Sequence, residues 1–245
     1  MITFTLLTIL AFLLNLLSNV SYCYAKENPC LTVSLLNSGY HRELLYQLDF
    51  GGRFKKSTQC DIVIVQTLHQ GVYVRGDQLA EIKRHHLKNS YIPVHVDIEA
   101  PAEISSSFTL YLYTKSYDKA VIRLPIHFRY HYPSSLTSFA NVPMYEPSIY
   151  TSCPGRNYEG EASQSYYFPC SNATQVIDYD QEELSGVSVC TWFDLKCKVF
   201  SRGVATVSVP LGNLNMNIVV VVITTATVWS ACGYIIFAIA RKTKN

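Results

Sequence analysis

Short runs of alternating apolar and polar residues recur along the middle of the chain. Val94, Val96 and Ile98 alternate with polar neighbours, and residues 108–113 repeat the pattern. Because successive side chains of a strand point to opposite faces, a period of two predicts half-buried antiparallel strands. Further strands are predicted at 31–36, 44–50, 62–68, 71–75, 120–132, 187–192 and 204–209.

These short strands are separated by Gly, Pro, Asn and Ser, which predicts an all-β domain built as a sandwich or barrel-like sheet. One helix is predicted at 78–87, because Leu79 and Ile82 recur at helical spacing. Residues 133–185 are polar and aromatic without a regular period, so we expect a long loop or insertion held by Cys153 and Cys170.

The two ends of the chain are apolar. The first 25 residues begin with a long uncharged run and close on a small residue, which predicts a signal peptide at 1–25; an uncleaved anchor is the alternative, because no Lys or Arg precedes the run. Residues 218–240 carry no charge and are long enough to cross a bilayer as a helix. The basic tail at 241–245 favours the cytoplasm, so we expect a single-pass type I protein with residues 26–217 in the lumen.

Composition and charge exclude some classes of protein. Hydrophobic residues make up 49% of the chain and charged residues 16%, which excludes a disordered tail protein. The formal net charge of +2 excludes a polybasic nucleic-acid binder. The part predicted to be lumenal carries a formal charge of −1 and has no electrostatic reason to bind anionic lipid.

Six cysteines fall in the predicted lumenal part. An even number in an oxidising compartment predicts disulfides, although the sequence leaves the pairing open. The spacings are irregular and no CxxC pair occurs, so neither a metal site nor any other cofactor is expected. The cysteines are Cys30, Cys60, Cys153, Cys170, Cys190 and Cys197. Asn172 begins an Asn-Ala-Thr sequence, which predicts N-glycosylation on the surface.

The segment between Pro125 and Pro133 is rich in histidine and aromatic residues. His127 and His131 would share one face of a helix, as a metal site requires, but the flanking prolines and strand-forming residues favour a strand. On a strand, His127, His131 and Arg129 would point away from the core and form a docking surface for a partner or an anionic head group. The alternative is that they bind backbone carbonyls and acidic neighbours within the domain.

The opposite face of that strand would pack inward through Phe128 and Tyr130, which are predicted to anchor it. His41 and Arg42 form a second candidate docking pair, for which an ordinary surface salt bridge is the alternative. In the predicted span, small residues recur at spacings of four and three and would let another membrane helix approach closely. These residues are Ala226, Ser230 and Gly233. No recognisable catalytic motif is present in the sequence, so an enzyme is not predicted.

Three segments together resemble the phosphatidylinositol-glycan biosynthesis class X family, PIG-X. They are NSGYHRELLYQLDF at 37–50, LHQGVYVRGDQLAEIKR at 68–84 and LPIHFRYHYP at 124–133. Their order, the cysteine near 153 and the single C-terminal span also fit. The chain departs from the family pattern in its 153–197 region, in the turn at 75–77 and in a tail without a di-lysine retrieval signal.

The resemblance implies a non-catalytic, stabilising subunit of glycosylphosphatidylinositol (GPI) mannosyltransferase I, which adds the first mannose to the GPI-anchor precursor in the endoplasmic reticulum. Its partner would be a multi-spanning catalytic subunit, PIG-M. Two alternatives stay open on the residues alone. One is a cell-surface adhesion or receptor ectodomain, which has the same layout. The other is a lumenal hydrolase that uses a pair of acids.

Overall fold

The computed structural model describes residues 30–51, 54, 60–85, 87–115, 119–154, 164–173, 187–195, 198–202 and 205–242. The predicted signal peptide at 1–25, Cys197, Thr174 of the glycosylation sequence and the last three residues lie outside this part of the chain.

Strands dominate the described residues. They are β1 (Leu31–Leu36), β2 (His41–Asp49), β3 (Asp61–Leu68), β4 (Val72–Tyr73), β5 (Asn89–Tyr91), β6 (Phe108–Lys115), β7 (Lys119–Phe128), β8 (Phe139–Pro143), β9 (Ser148–Thr151), β10 (Ser165–Pro169), β11 (Val189–Asp194), β12 (Val199–Arg202) and β13 (Thr206–Pro210). Two α-helices are present in the same part of the chain, α1 (Gly76–His85) and α2 (Asn217–Lys242), with short 3-10 helices at Ala102–Ile104 and Leu214–Met216.

The strands form two larger sheets and one small one. The first sheet has the order β12-β1-β2-β7-β4, and the second has the order β10-β11-β9-β3-β6-β5. Strands β8 and β13 pair separately. The pairing is antiparallel except between β1 and β12. The two larger sheets share one apolar core, with Leu44 and Ile126 from the first and Ile62 and Leu110 from the second. The all-β prediction is therefore confirmed.

Two disulfides link segments of the second sheet to one another. Cys60 bonds to Cys153, with their Cα atoms 5.6 Å apart, and Cys170 bonds to Cys190 beside β10 and β11. Cys30 is disulfide-bonded as well. Cys153 and Cys170 thus tie the 133–185 region to other strands.

The prediction of a long loop at 133–185 is wrong for its described residues, because β8, β9 and β10 lie there. The strand predicted around Val94 to Ile98 is also wrong. Residues 92–101 are irregular, and both Val94 and Ile98 are exposed. Pro93 lacks a backbone donor and lies two residues after the end of β5 at Tyr91, so the ladder does not continue through it.

The helix predicted at 78–87 and the apolar helix predicted at 218–240 are both found, as α1 and α2. In α1, Leu79 and Ile82 are buried in the main core. Helix α2 is long and apolar enough to cross a membrane, and the rest of the described chain buries none of its side chains. At about 1.5 Å per residue, its uncharged part exceeds the ~30 Å hydrocarbon core of a bilayer.

Candidate partner-docking site

The three segments that carry the family resemblance meet at one end of the first sheet. Strand β7 lies between β2 and β4, and His127 is paired with His41 on one side and with Tyr73 on the other. At the last residue of β7, the amide of Phe128 donates to the carbonyl of Tyr40, just before β2, at 2.8 Å. Segments far apart in the sequence are therefore joined by main-chain hydrogen bonds at this end of the sheet.

A cluster of rings lies on the solvent face of these strands. The His41 and His127 rings are 4.6 Å apart, with their Nδ1 atoms at 3.4 Å, and the Tyr73 ring stacks on His127 at 5.0 Å. His127 Nε2 lies 2.9 Å from the side-chain oxygen of Gln78 on α1 and donates to it. The Nδ1 atom of His127 can then accept a hydrogen bond from the Nδ1–H group of His41.

The electrostatics of this cluster favour a neutral ring at His127. Partial burial lowers the pKa of His127 below its usual 6.5, and the nearby charges of His41 and Arg75 lower it further, against a smaller opposing effect of Asp77. His127 is therefore uncharged at neutral pH. The surface offers aromatic and imidazole faces, and a neutral His127 does not supply a positive charge to an anionic head group.

Arg129 does not face solvent as predicted. Its side chain is only 4% exposed, its guanidinium lies 5.0 Å from the Tyr73 ring centre, and its Nη1 donates to the carbonyl of Ala100 at 2.7 Å. The reason is that β7 ends at Phe128, so the alternation of faces stops one residue before Arg129. The backbone amide of Arg129 bonds instead to Gly71, outside the regular strand.

The end of β7 also reverses the expectation for Tyr130. Its side chain is 74% exposed, with its ring 4.8 Å from that of Tyr40, so it does not anchor the strand inward. Phe128 is buried, and the guanidinium of Arg42 lies 5.2 Å over its ring. His131 forms a mostly buried pair with Glu103, with Nδ1 and Oε1 3.2 Å apart. The predicted outward ladder of three basic residues therefore does not exist, because only His127 lies on the solvent face of the strand.

We call the exposed or half-exposed residues at this end of the sheet the three-segment surface. It consists of His41, Arg42, Tyr73, His127 and Tyr130. Three residues at this end of the sheet were not predicted as site residues, although all of them lie inside the segments that carry the resemblance: Tyr40, Tyr73 and Gln78. The one feature of the sequence that could have identified them is their position within those segments.

The three-segment surface lies at the end of the domain from which α2 departs. The hydroxyl of Tyr40 donates to the carbonyl of Pro210 at 2.8 Å, and Pro210 is the last residue of β13. The chain then passes through a short 3-10 helix and begins α2 at Asn217. A partner that contacts this surface would therefore lie close to the membrane if α2 spans it.

The remaining predicted site residues are elsewhere. Asn172 is exposed in a turn beside Cys170, which suits a glycan there. Ala226, Ser230 and Gly233 lie along α2, and the hydroxyl of Ser230 donates to the carbonyl of Ala226 at 2.8 Å. This hydroxyl is satisfied within its own helix, so the stripe offers a smooth packing surface without an unpaired donor.

The geometry suits a protein contact better than chemistry on a small molecule. Among the described residues, no group of three or more His, Cys, Asp or Glu side chains is arranged to hold a metal ion. Aromatic side chains and arginine are enriched in protein interfaces, where they contribute most of the binding energy. Three of the five residues of the three-segment surface are tyrosine or arginine, and the other two are the exposed His41 and the half-buried His127.

Comparison with known proteins gives one family. The family model described as PIG-X / PBN1 matches residues 37–240, which include all three segments and α2. Three relatives carry the name "GPI alpha-1,4-mannosyltransferase I, stabilizing subunit". The human protein is 25% identical, the mouse protein 23% and the rat protein 22%, each over 74% of this chain and over 68%, 69% and 70% of the relative. No solved structure matches the chain.

Proposed function

Because the chain belongs to the PIG-X / PBN1 family, we propose that it is the non-catalytic, stabilising subunit of a GPI mannosyltransferase I complex. The observation that carries this proposal is the extent of the family match, which covers every strand from β2 onward and nearly all of α2. The catalytic partner is a multi-spanning subunit of the PIG-M type. Their complex adds the first mannose to the GPI-anchor precursor in the endoplasmic reticulum.

In this proposal the chain is a single-pass protein, with α2 across the membrane and the β domain in the lumen. The basic residues at the end of α2, Arg241 and Lys242, favour the cytoplasmic side. The disulfides Cys60–Cys153 and Cys170–Cys190 suit an oxidising compartment, and a glycan on Asn172 would lie on the exposed surface of the domain.

The three-segment surface binds the lumenal side of the partner, and the stripe of Ala226, Ser230 and Gly233 packs against a partner helix. A protein that binds only the folded form of its partner stabilises that form by mass action, by about 2.7 kcal/mol at a hundredfold excess over Kd. Stabilisation of this size lowers the unfolded fraction of the partner that reaches degradation. No reacting group is required from this chain.

The test is a pulldown of the tagged full-length chain from its own membranes in mild detergent, followed by mass spectrometry of the co-purified proteins. We expect a multi-spanning mannosyltransferase that uses dolichol-phosphate-mannose. The double variant His41→Ala/His127→Ala removes the ring pair and should reduce its recovery several-fold.

A matched control lies on the same two strands. Asp49 and Lys119 pair at their far end, eight residues and about 26 Å from His41 and His127. Gln47 is also exposed in this part of β2, and the variant Gln47→Ala/Lys119→Ala should leave recovery unchanged. Equal recovery with both double variants would reject the docking surface while retaining the complex. Absence of any mannosyltransferase, with the chain found at the cell surface, would reject the function in favour of an ectodomain.

A further inference from the structure

A group of exposed apolar side chains lies where the β domain meets α2. Leu136 is 93% exposed at the tip of the turn between β7 and β8, and Tyr132 precedes this turn with more than half of its side chain exposed. Leu214 and Met216 are exposed in the 3-10 helix that leads into α2. We call these four residues the membrane-proximal patch.

Hydrogen bonds fix the turn to the start of the helix. The amide of Ser134 donates to the carbonyl of Gly212 at 2.9 Å, and the amide of Leu214 donates to the carbonyl of Ser134 at 3.2 Å. Pro133 packs against Gly212, where an added Cβ would lie 3.3 Å from the proline ring. The turn therefore cannot be far from the point where the chain enters α2.

The length of the connection sets the height of the turn above a bilayer. The apolar run of α2 begins at Ile218, four residues after Leu214. At about 2 Å per residue in a 3-10 helix, these four residues span at most about 8 Å along the membrane normal. Each headgroup region is roughly 5–8 Å thick, so Leu214 and the bonded Ser134 lie within it or at its outer edge for any tilt of α2.

Charge and hydrogen bonding are compatible with that position. Residues 132–145 and 203–240 contain no Asp, Glu, Lys or Arg. Inside the turn, the hydroxyl of Ser134 accepts from the amides of both Leu136 and Thr137 at 3.1 Å. These backbone donors are satisfied internally, which lowers the cost of moving the turn out of bulk water. Tyrosine at the edge of the turn suits the interface, where its ring and hydroxyl meet different solvents.

We infer that the membrane-proximal patch is a lipid-contacting surface: the turn at Leu136 inserts its side chain into the headgroup and upper acyl region of the bilayer, and Tyr132 lies beside it at headgroup level. This inference rests on the proposed membrane span of α2. The ligand is the zwitterionic bilayer itself, and no charged headgroup is required. The consequence is a second point of attachment that restricts rotation of the domain about α2 and holds Tyr130 and Tyr40 near the membrane.

The test measures the depth of single spin labels on the full-length chain in phosphatidylcholine vesicles. Cys232 is a free thiol in α2 and is first changed to Ser. Cysteines are then introduced one at a time by Leu136→Cys, Val121→Cys and Val222→Cys. Val121 is the matched control, because it is an exposed apolar residue on β7. It lies seven residues before Phe128, where β7 ends and the chain continues towards Leu136. Val222 lies inside α2 and reports insertion of the span.

Collision rates with oxygen, which concentrates in lipid, and with a water-soluble nickel complex give the depth. We expect the label at 136 to collide several-fold less with nickel and more with oxygen than the label at 121. A label at 136 that behaves like the one at 121, while the label at 222 is in hydrocarbon, would overturn the inference and leave the span intact. A water-accessible label at 222 would reject the span and the inference together.

Discussion

The two larger sheets share one core but differ on their outer faces. In the first sheet, β2 and β7 alternate between buried and exposed residues, and the exposed face carries the ion pairs Arg123–Glu43 and Lys119–Asp49. In the second sheet, the outer face of β3 and β6 is itself buried, under a cluster of Val63, Tyr91, Tyr113, Trp192 and Ala173.

The second sheet is built for stability, whereas the first sheet presents the surface for recognition. Both disulfides with described partners belong to the second sheet, and the phenol of Tyr113 is bonded to the carbonyl of Pro169 beneath the outer cluster. Within the described part of the chain, the outer face of the first sheet carries exposed side chains of β2 and β7, and its accessible rings gather at the end near α2. An antiparallel sheet with one solvated face can present side chains to a partner without losing its core. We therefore expect changes in the second sheet to affect folding and changes at the three-segment surface to affect binding.

The largest effect is expected from removing the disulfide between Cys60 and Cys153. It closes a loop with a sequence separation of 93 residues, for which loop entropy predicts a loss of about 4 to 5 kcal/mol in the free energy of unfolding. The double change Cys60→Ala/Cys153→Ala is compared with Cys170→Ala/Cys190→Ala, whose shorter separation of 20 residues predicts about 3 kcal/mol. Denaturant unfolding of the detergent-solubilised chain gives both values. The opposite order would show that loop length does not control the stability of this sheet.

A similar but smaller loss in the free energy of unfolding is expected from Trp192→Ala. The Trp192 ring is fully buried 5.7 Å from Tyr113, and loss of a buried aromatic side chain costs about 3 to 5 kcal/mol. Partner recovery per folded molecule should stay unchanged, because this residue lies on the other sheet. A variant that folds with wild-type stability would mean that the outer cluster contributes little, and the comparison of the two sheets would fail.

Arg129→Ala tests whether a buried residue beneath the three-segment surface contributes to the stability of the fold. It removes the hydrogen bond to Ala100 and the contact beneath Tyr73, and we expect a loss of about 2 kcal/mol, as for hydrogen bonds of charged groups. His41→Ala is the control, since an exposed side chain changes stability by roughly 0.5 kcal/mol or less. If both changes were equally mild, Arg129 would not have the supporting role that its burial indicates.

The smallest expected effect is a dependence of the stability of the folded chain on pH. Burial lowers the pKa of His127 and of His69 in the folded chain, so the unfolded chain binds more protons when the pH falls below about 6.5. Their contribution to stability is complete above that pH and decreases as the pH falls from it towards the folded pKa. Thermal unfolding of wild type and His127→Gln between pH 7.5 and 5.5 should show a shallower loss in the variant. An identical slope would contradict the lowered pKa.

Much of the fold follows from local pattern. The strands β1, β3 and β6 and both helices begin and end within two residues of their predicted bounds, because the alternation of apolar residues and the length of the apolar helix are local signals. The alternating residues 94–98 have the same signal but lie after Pro93 without a strand to pair with. Strand formation also requires a partner strand, which is often distant in the sequence. The local pattern does not show whether one is available, so it predicted a strand that does not form.

The candidate site was only partly predictable for the same reason. Site residues were predicted in the segments at 37–50 and 124–133, but their meeting with Tyr73 depends on the register that pairs both His41 and Tyr73 with His127. The end of β7 at Phe128 reversed the faces of Arg129 and Tyr130, and this end is set by the hydrogen bond of the Arg129 amide to Gly71. Neither contact has a signal within the segment 124–133 itself.

The central claim is that this chain stabilises a catalytic partner through the three-segment surface. The most direct measurement is the half-life of the catalytic mannosyltransferase subunit, by pulse-chase, in cells that lack this chain and are complemented with wild type, His41→Ala/His127→Ala or Gln47→Ala/Lys119→Ala. We predict a short half-life without the chain, full recovery with wild type and with the Gln47/Lys119 variant, and little recovery with the histidine variant at equal expression. A catalytic subunit that is equally long-lived in the presence and absence of this chain would contradict the account.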